Sequence, residues 1–326
     1  MSADPPTAAQ AVLEPERDDY QDSALGSEAG SSLTSIGSSI LKYRTENGRT
    51  YHSYKEGKYL APNDEEEKDR LDLQHHLYAL TFGDNLHVCP LPVKLDRVLD
   101  IGTGTGIWAI DFADEHPESE VLGIDLSPIQ PTFIPPNCSF QIDDVEESWT
   151  FGYKFDFIHS RMMTGSIRDW EKLIGHVFEN LNLGGWVQIS DMDLPLRCDD
   201  NTMGPNIDKW GTFVVEGAAK IGLAVNSARS YKQQLIQAGF EDVQELVYKW
   251  PMNRWPKNPK MKELGTWTNE NMRGGLSGLS VAMFTRVLGW TPEATELFLD
   301  KVKREMDDTK MHTYFAMQVY RFESLD

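Results

Sequence analysis

Basic side chains are scarce in this sequence. Lys and Arg total 31 against 51 Asp and Glu, a formal net charge of -20 over 326 residues. Such a surface repels phosphate backbones, and no Lys/Arg cluster interrupts it. That excludes nonspecific nucleic-acid binding as the main activity, and no direct nucleic-acid partner is expected. Long apolar runs are missing too. None approaches the roughly 20 residues that span a bilayer, so no membrane partner is expected. No basic stretch followed by an apolar one opens the chain, so no signal peptide is expected. Cysteine is limited to Cys89, Cys138 and Cys198, with no C-x-x-C pair. This excludes a disulfide framework and a cysteine-zinc site, and it fits a reducing compartment. With no H-x-x-x-H or H-E-x-x-H spacing either, no metal is expected.

What is present suffices for a large core: 40% of residues are hydrophobic and 10% aromatic. Residues 1–40 stand apart. Half of them are Ser, Ala, Gly or Pro, and Arg17 is their one basic residue. They are expected to form a disordered acidic tail, because too little apolar surface offsets the entropy of ordering. Residues 41–96 begin with Tyr43, Tyr51, Tyr54 and Tyr59 among Arg, His and Lys, then reach Pro62-Asn63-Asp64 and three glutamates. Asn63 or Asp64 caps a helix predicted over 64–82, which Gly83 ends. Strands are predicted at 97–101, 120–124, 139–142, 155–159 and 186–190, with helices between most of them and a Gly184-Gly185 stop. Strand–helix alternation at this spacing points to an α/β fold with a parallel sheet covered on both faces, its core at 97–193. Residues 194–326 are predicted to add helices over 203–222, 228–238, 259–289 and 292–308, and strands at 243–250 and 313–322.

The chemistry concentrates in Val98-Leu99-Asp100-Ile101-Gly102-Thr103-Gly104-Thr105-Gly106, an apolar strand running into a glycine turn. Such a turn lies outside the carboxyl end of a strand, where open α/β sheets bind ligands. Dinucleotide enzymes use a similar one, but their third small residue falls here on Ile107. Asp100 would repel a pyrophosphate and suits an ammonium group instead. Asp125, at the end of the next strand, suits the two hydroxyls of a ribose. Asp144 with Val145, after the third strand, suits the amino group and ring of adenine. A nucleoside with cationic groups and no phosphate describes S-adenosylmethionine.

VLDIGTGTG, GIDLSP, DDVEESW, FDFIHSR and GGWVQISD resemble the successive motifs of class I S-adenosylmethionine-dependent methyltransferases. YHSYKEGKYLAPNDEEEKDRLDLQHHL and GTGTGIWAIDFADEHPESEVLGIDLSPIQP resemble the fungal LaeA-like members of that family. The likeness covers residues 41–193 and weakens beyond. It implies a Rossmann-like, seven-stranded, mostly parallel sheet whose last strand, antiparallel, is supplied by 313–322. It also implies a cofactor clasp of Asp100, Gly102, Thr103, Gly104, Gly106, Asp125, Leu126, Asp144, Val145 and Ser160.

Methyl transfer is an in-line displacement on carbon, so a general base is optional. Candidates for one are His75, on the helix before the core, and Asp191 and Asp193, which are expected in the loop after the fifth strand. Arg161 suits an anionic acceptor, the cofactor carboxylate or a structural ion pair. The tyrosines of 43–59 suit a lid whose rings cover a sulfonium. Met252, Trp255, Met261, Trp267 and Met272 suit either a substrate pocket or a docking face. Two functions follow. One is a methyltransferase acting on a small-molecule intermediate of fungal secondary metabolism. The other is a LaeA-like regulator acting through velvet-type protein partners in the nucleus. The absence of a basic import signal points to the cytoplasm, with nuclear entry only through a partner.

Overall fold

The computed structural model describes residues 44–46, 49–51, 54, 55, 58 and 62–323. The tail expected at 1–40 lies outside these residues, as do Tyr43 and Tyr59. A short antiparallel pair, β1 (Arg44–Glu46) and β2 (Arg49–Tyr51), precedes helix α1 (Glu65–Phe82). Asp64 caps α1 by accepting from the Glu67 N–H at 3.1 Å, and Gly83 ends it at φ 68°. Arg49 of β2 grips the same Asp64 carboxylate, with its Nη2 at 2.7 Å from Oδ1. The entry to the helix is thereby tied to the preceding hairpin.

The centre alternates as the apolar pattern requires: β3 (Arg97–Ile101), α2 (Ile107–Glu115), β4 (Glu120–Asp125), β5 (Cys138–Ile142), β6 (Phe155–Arg161), α3 (Trp170–Glu179) and β7 (Leu181–Cys198). The remainder is α4 (Pro205–Lys220), α5 (Ala228–Ala238), β8 (Glu241–Pro251), α6 (Pro259–Ala282), a π-helical turn (Met283–Val287), α7 (Pro292–Asp307) and β9 (Thr313–Glu323). Seven strands form one sheet in the order β5-β4-β3-β6-β7-β9-β8, and only β9 runs antiparallel to its neighbours. The seven-stranded sheet with its reversed last strand is therefore present.

Alternation along β3 divides the core. Val98 packs with Trp108, Phe112 and Phe157 under α2, whereas Leu99 and Ile101 pack with Ile174, Val177 and Leu235 under α3 and α5. A third cluster sits beyond the carboxyl ends of the strands. There Leu77 and Tyr78 of α1 meet Trp210, Leu276, Phe284 and Leu299 of the later helices. Each such fully buried side chain contributes about 1.5–3 kcal/mol.

β7 departs from expectation. It is 18 residues long and runs through Gly184-Gly185, where its register against β6 shifts, and it continues past Asp191 and Asp193. Those two carboxylates therefore lie inside a strand, not in a loop. Both are fully buried and both have partners. Tyr231 and Thr164 serve Asp191, and Arg197 and Arg229 serve Asp193.

Gly106 caps α2 in the left-handed region at φ 82°, and a Cβ there would run into the Phe140 ring. Gly106→Ala should cost about 1–3 kcal/mol. Urea unfolding checks this; an unchanged midpoint would show that Phe140 yields freely.

Candidate active site

The carboxyl ends of β3, β4 and β5 are laced together by main-chain hydrogen bonds. Gly102 and Thr103 both donate N–H to the Ile124 carbonyl (2.9 and 3.0 Å), and Asp143 donates to the Asp125 carbonyl (3.0 Å). Gly104 N–H donates to Asp125 Oδ2 at 2.8 Å, and Ser127 N–H to Oδ1 at 2.9 Å. A cavity of about 240 Å³ opens against these loops. Its wall includes Gly102, Thr103, Gly104, Asp125, Leu126, Asp144 and Val145, so the structure brings these predicted residues together.

Three others stand behind the wall. Asp100 is 2% exposed; its Oδ2 accepts from Thr103 Oγ1 at 2.6 Å and its Oδ1 from His159 Nδ1 at 2.8 Å. It shapes the turn and does not present its carboxylate to the cavity. Gly106 packs on Phe140, away from the cavity. Ser160 is buried on the strand face opposite Arg161, and its hydroxyl has no partner.

Neither proposed base is free. Arg161 can only donate, so its Nη2, 3.0 Å from His75 Nδ1, requires that nitrogen to be the acceptor. Its Nε2 lies 3.1 Å from Asp111 Oδ2. His75 thus has its Nδ1 engaged by Arg161 and lies off the cavity wall. Asp191 is also off the wall. It accepts from Thr164 N–H (3.0 Å) and Tyr231 Oη (2.7 Å), and burial pushes its carboxyl up to about 6. Arg161 does line the cavity, beneath no aromatic but over the Tyr78 ring at 5.4 Å.

Of the tyrosine segment, Lys58 lines the cavity; Tyr51 and Tyr54 do not. Tyr51 instead lies under Arg286, 5.8 Å from its guanidinium carbon. Lys58 pairs with Asp144 and, at 3.0 Å, with Glu146. Burial alone would raise the Asp144 carboxyl, but Lys58 and the Glu146 N–H hold it below its ordinary value. Of the five Met and Trp residues singled out for a pocket or docking face, Met272 alone reaches the wall.

Sequence reasoning missed the polar side of the recess. Asn63, Gln74 and Asn271 line it and are each 5% exposed. Asn63 Nδ2 is a buried donor without an acceptor, and Gln74 makes no hydrogen bond among the described residues. The available signal was helical spacing: Glu67, Leu71 and Gln74 share a stripe of α1, one position away from the conspicuous histidine pair.

Residues 57–245 match the family described as a methyltransferase domain. The chain is 38% identical over 316 residues to the methyltransferase pytC of Aspergillus terreus, covering 96% of this chain and 98% of that protein. The chain belongs to the methyltransferase domain family. This methyltransferase is also 39% identical over 284 residues to the secondary metabolism regulator LAE1 of Cochliobolus heterostrophus, covering 84% of this chain and 92% of that one. Among solved structures, phosphoethanolamine N-methyltransferase 2 of Haemonchus contortus, in complex with S-adenosyl-L-methionine, overlays with a TM-score of 0.47 at 15% identity, covering 92% of this chain and 74% of that one.

S-adenosylmethionine is the methyl donor of the family, and the cavity suits it. Gly104 turns bare main chain to the cavity at φ 59°, a left-handed conformation that side chains rarely adopt. The Val145 N–H has no acceptor among the described residues. The carboxylates of Asp125 and Asp144 accept from hydroxyl and amino groups and would repel phosphate.

Two buried groups set opposing pH dependences. Burial lowers His159 to about 4, against the bond to Asp100, so the unfolded chain takes up a proton that the folded ring refuses. Stability from this source is full above the ordinary value near 6.5 and is lost as pH falls toward 4. Asp191, raised to about 6, works the other way: its contribution is present below 3.8 and is lost as pH rises to about 6. Each is on the order of 3 kcal/mol, so they largely cancel. Asp191→Asn should expose the His159 slope, with urea-derived stability rising between pH 4 and 6 far more steeply than in wild type. Equal slopes would mean that Asp191 is ionised in both states.

Proposed function

We propose that this S-adenosylmethionine-dependent methyltransferase acts on a small molecule of fungal secondary metabolism. The observation that carries this reading is the far half of the cavity. From the glycine turn it continues beneath α4 and α6 as an apolar recess walled by buried Trp210, Val214, Leu223, Val225, Trp250 and Phe315. A recess of this make holds a compact apolar skeleton. Asn63, Gln74 and Asn271 supply hydrogen bonds for an oxygen or nitrogen on it. The similarity to a relative named a methyltransferase over nearly the whole chain supports the same reading. The alternative, a regulator of secondary metabolism, draws on the name of the LAE1 relative alone.

When bound, the cofactor supplies an electrophilic methyl group on a sulfonium. Asp125 would take the ribose hydroxyls, Asp144 and the Val145 N–H the adenine, Leu126 its face, and Gly102 to Gly104 the close main-chain contact. The apolar walls exclude water. The amides orient the acceptor, and holding a nucleophile in line lowers a barrier by up to about 7–11 kcal/mol. Glu67, a carboxylate that shares the wall with these amides, is paired with Arg70 at 2.7 and 3.0 Å. The reaction therefore relies on positioning and takes acceptors that are nucleophilic without a carboxylate base.

Purified protein incubated with methyl-labelled cofactor and fungal metabolite extracts should place label in a small molecule. Label in protein alone would overturn the reading. Leu223→Trp, which fills the recess, should cut transfer about tenfold or more while sparing S-adenosylhomocysteine affinity. Asp125→Ala should weaken S-adenosylhomocysteine by about 1.5–3 kcal/mol per lost hydrogen bond, read by calorimetry. Wild-type affinity in that variant would remove the ribose assignment.

A further inference from the structure

Arg161 is a cation in an unusual position. It ends β6, and because Ile101 pairs with Ser160 in parallel register, it stands level with Gly102, the first glycine of the turn. It lines the cavity beside Gly102, Thr103 and Gly104. Among the described residues it has no carboxylate within ion-pair distance. Its contacts are the His75 ring nitrogen and the face of Tyr78. Burial pulls its pKa down, while Asp100, Asp111 and Asp72 act on it only at longer range. A buried cation without a paired anion is costly to keep. His75, with Asp111 beside its other ring nitrogen, takes one guanidinium N–H and thereby sets the plane of the fork.

We infer that Arg161 is the receptor for an amino-acid carboxylate, that of the methionine tail of S-adenosylmethionine, and that His75 is its positioning residue. The guanidinium fork matches a carboxylate in a two-bond geometry. It sits at the turn that brings main chain against the ligand, on the side away from Asp125 and Asp144, where the nucleoside end is assigned. This rests on the cofactor reading above and extends it to the end of the ligand that the acidic residues do not serve. It also leaves Asp100 free to remain an internal brace.

Two nucleosides separate this role from a structural one. S-adenosylhomocysteine carries the carboxylate, and 5′-methylthioadenosine lacks the whole aminoacyl group. Calorimetry on wild type should show tighter binding of the former. Arg161→Gln should weaken S-adenosylhomocysteine roughly 10- to 100-fold and leave methylthioadenosine within about twofold. Arg161→Lys should recover part of the loss. His75→Ala should narrow the ratio between the two ligands without removing it. An unchanged ratio in Arg161→Gln would overturn the inference and hand the arginine to an anionic acceptor. Equal loss of both ligands would overturn it in favour of a purely structural arginine. A wild-type protein that binds both nucleosides equally overturns it as well. A wild-type protein that binds neither overturns the cofactor reading itself.

Discussion

The site depends on one constraint: the glycine turn after β3 has to be held open with its main chain facing outward. Two carboxylates do this from opposite sides. Asp100, buried beneath the turn, bonds Thr103 and the His159 ring, which stacks on Trp108 at 3.7 Å. Asp125, in front of it, takes the Gly104 N–H. Between them the Ile124 carbonyl receives two further main-chain donors. The turn, β4, β6 and α2 are therefore cross-braced. A ligand meets a surface that needs no rearrangement to receive it, the condition under which binding energy is least spent on ordering the protein.

From that fixed frame the chemistry divides by distance. Acidic and main-chain groups lie at the β4 and β5 ends, a lone guanidinium lies beside β6, and the apolar recess with its amides lies beyond, under helices that the core fold does not require. The first two suit a constant cofactor and the last a particular acceptor. Relatives of nearly equal similarity carry the names of a methyltransferase and of a regulator.

The frame was legible in the sequence because its signals are local. Glycine spacing, apolar runs of strand length and the Asp64 and Gly83 caps act within a few residues of themselves. What escaped was set by partners far along the chain. Asp100 reads as a ligand group until His159, 59 residues later, is seen to share it. Asp191 and Asp193 read as loop residues because buried carboxylates are rare. Tyr231 and the two arginines that make them tolerable arrive with α5 and the end of β7. His75 stood out by residue type, while Gln74, chemically plainer, turns toward the recess.

The contact between Lys58 and the acidic loop after β5 differs in kind from the rest of the site. It is built in two layers: the Lys58–Asp144 pair is largely buried, whereas the Lys55–Glu147 pair outside it is half-exposed. The attraction of the outer pair fades as ionic strength rises, whereas the buried pair and the main-chain bonds of the glycine turn are screened far less. The β5 end of the cleft is therefore held by an outer latch that the surrounding electrolyte can loosen, over an inner one that it largely cannot.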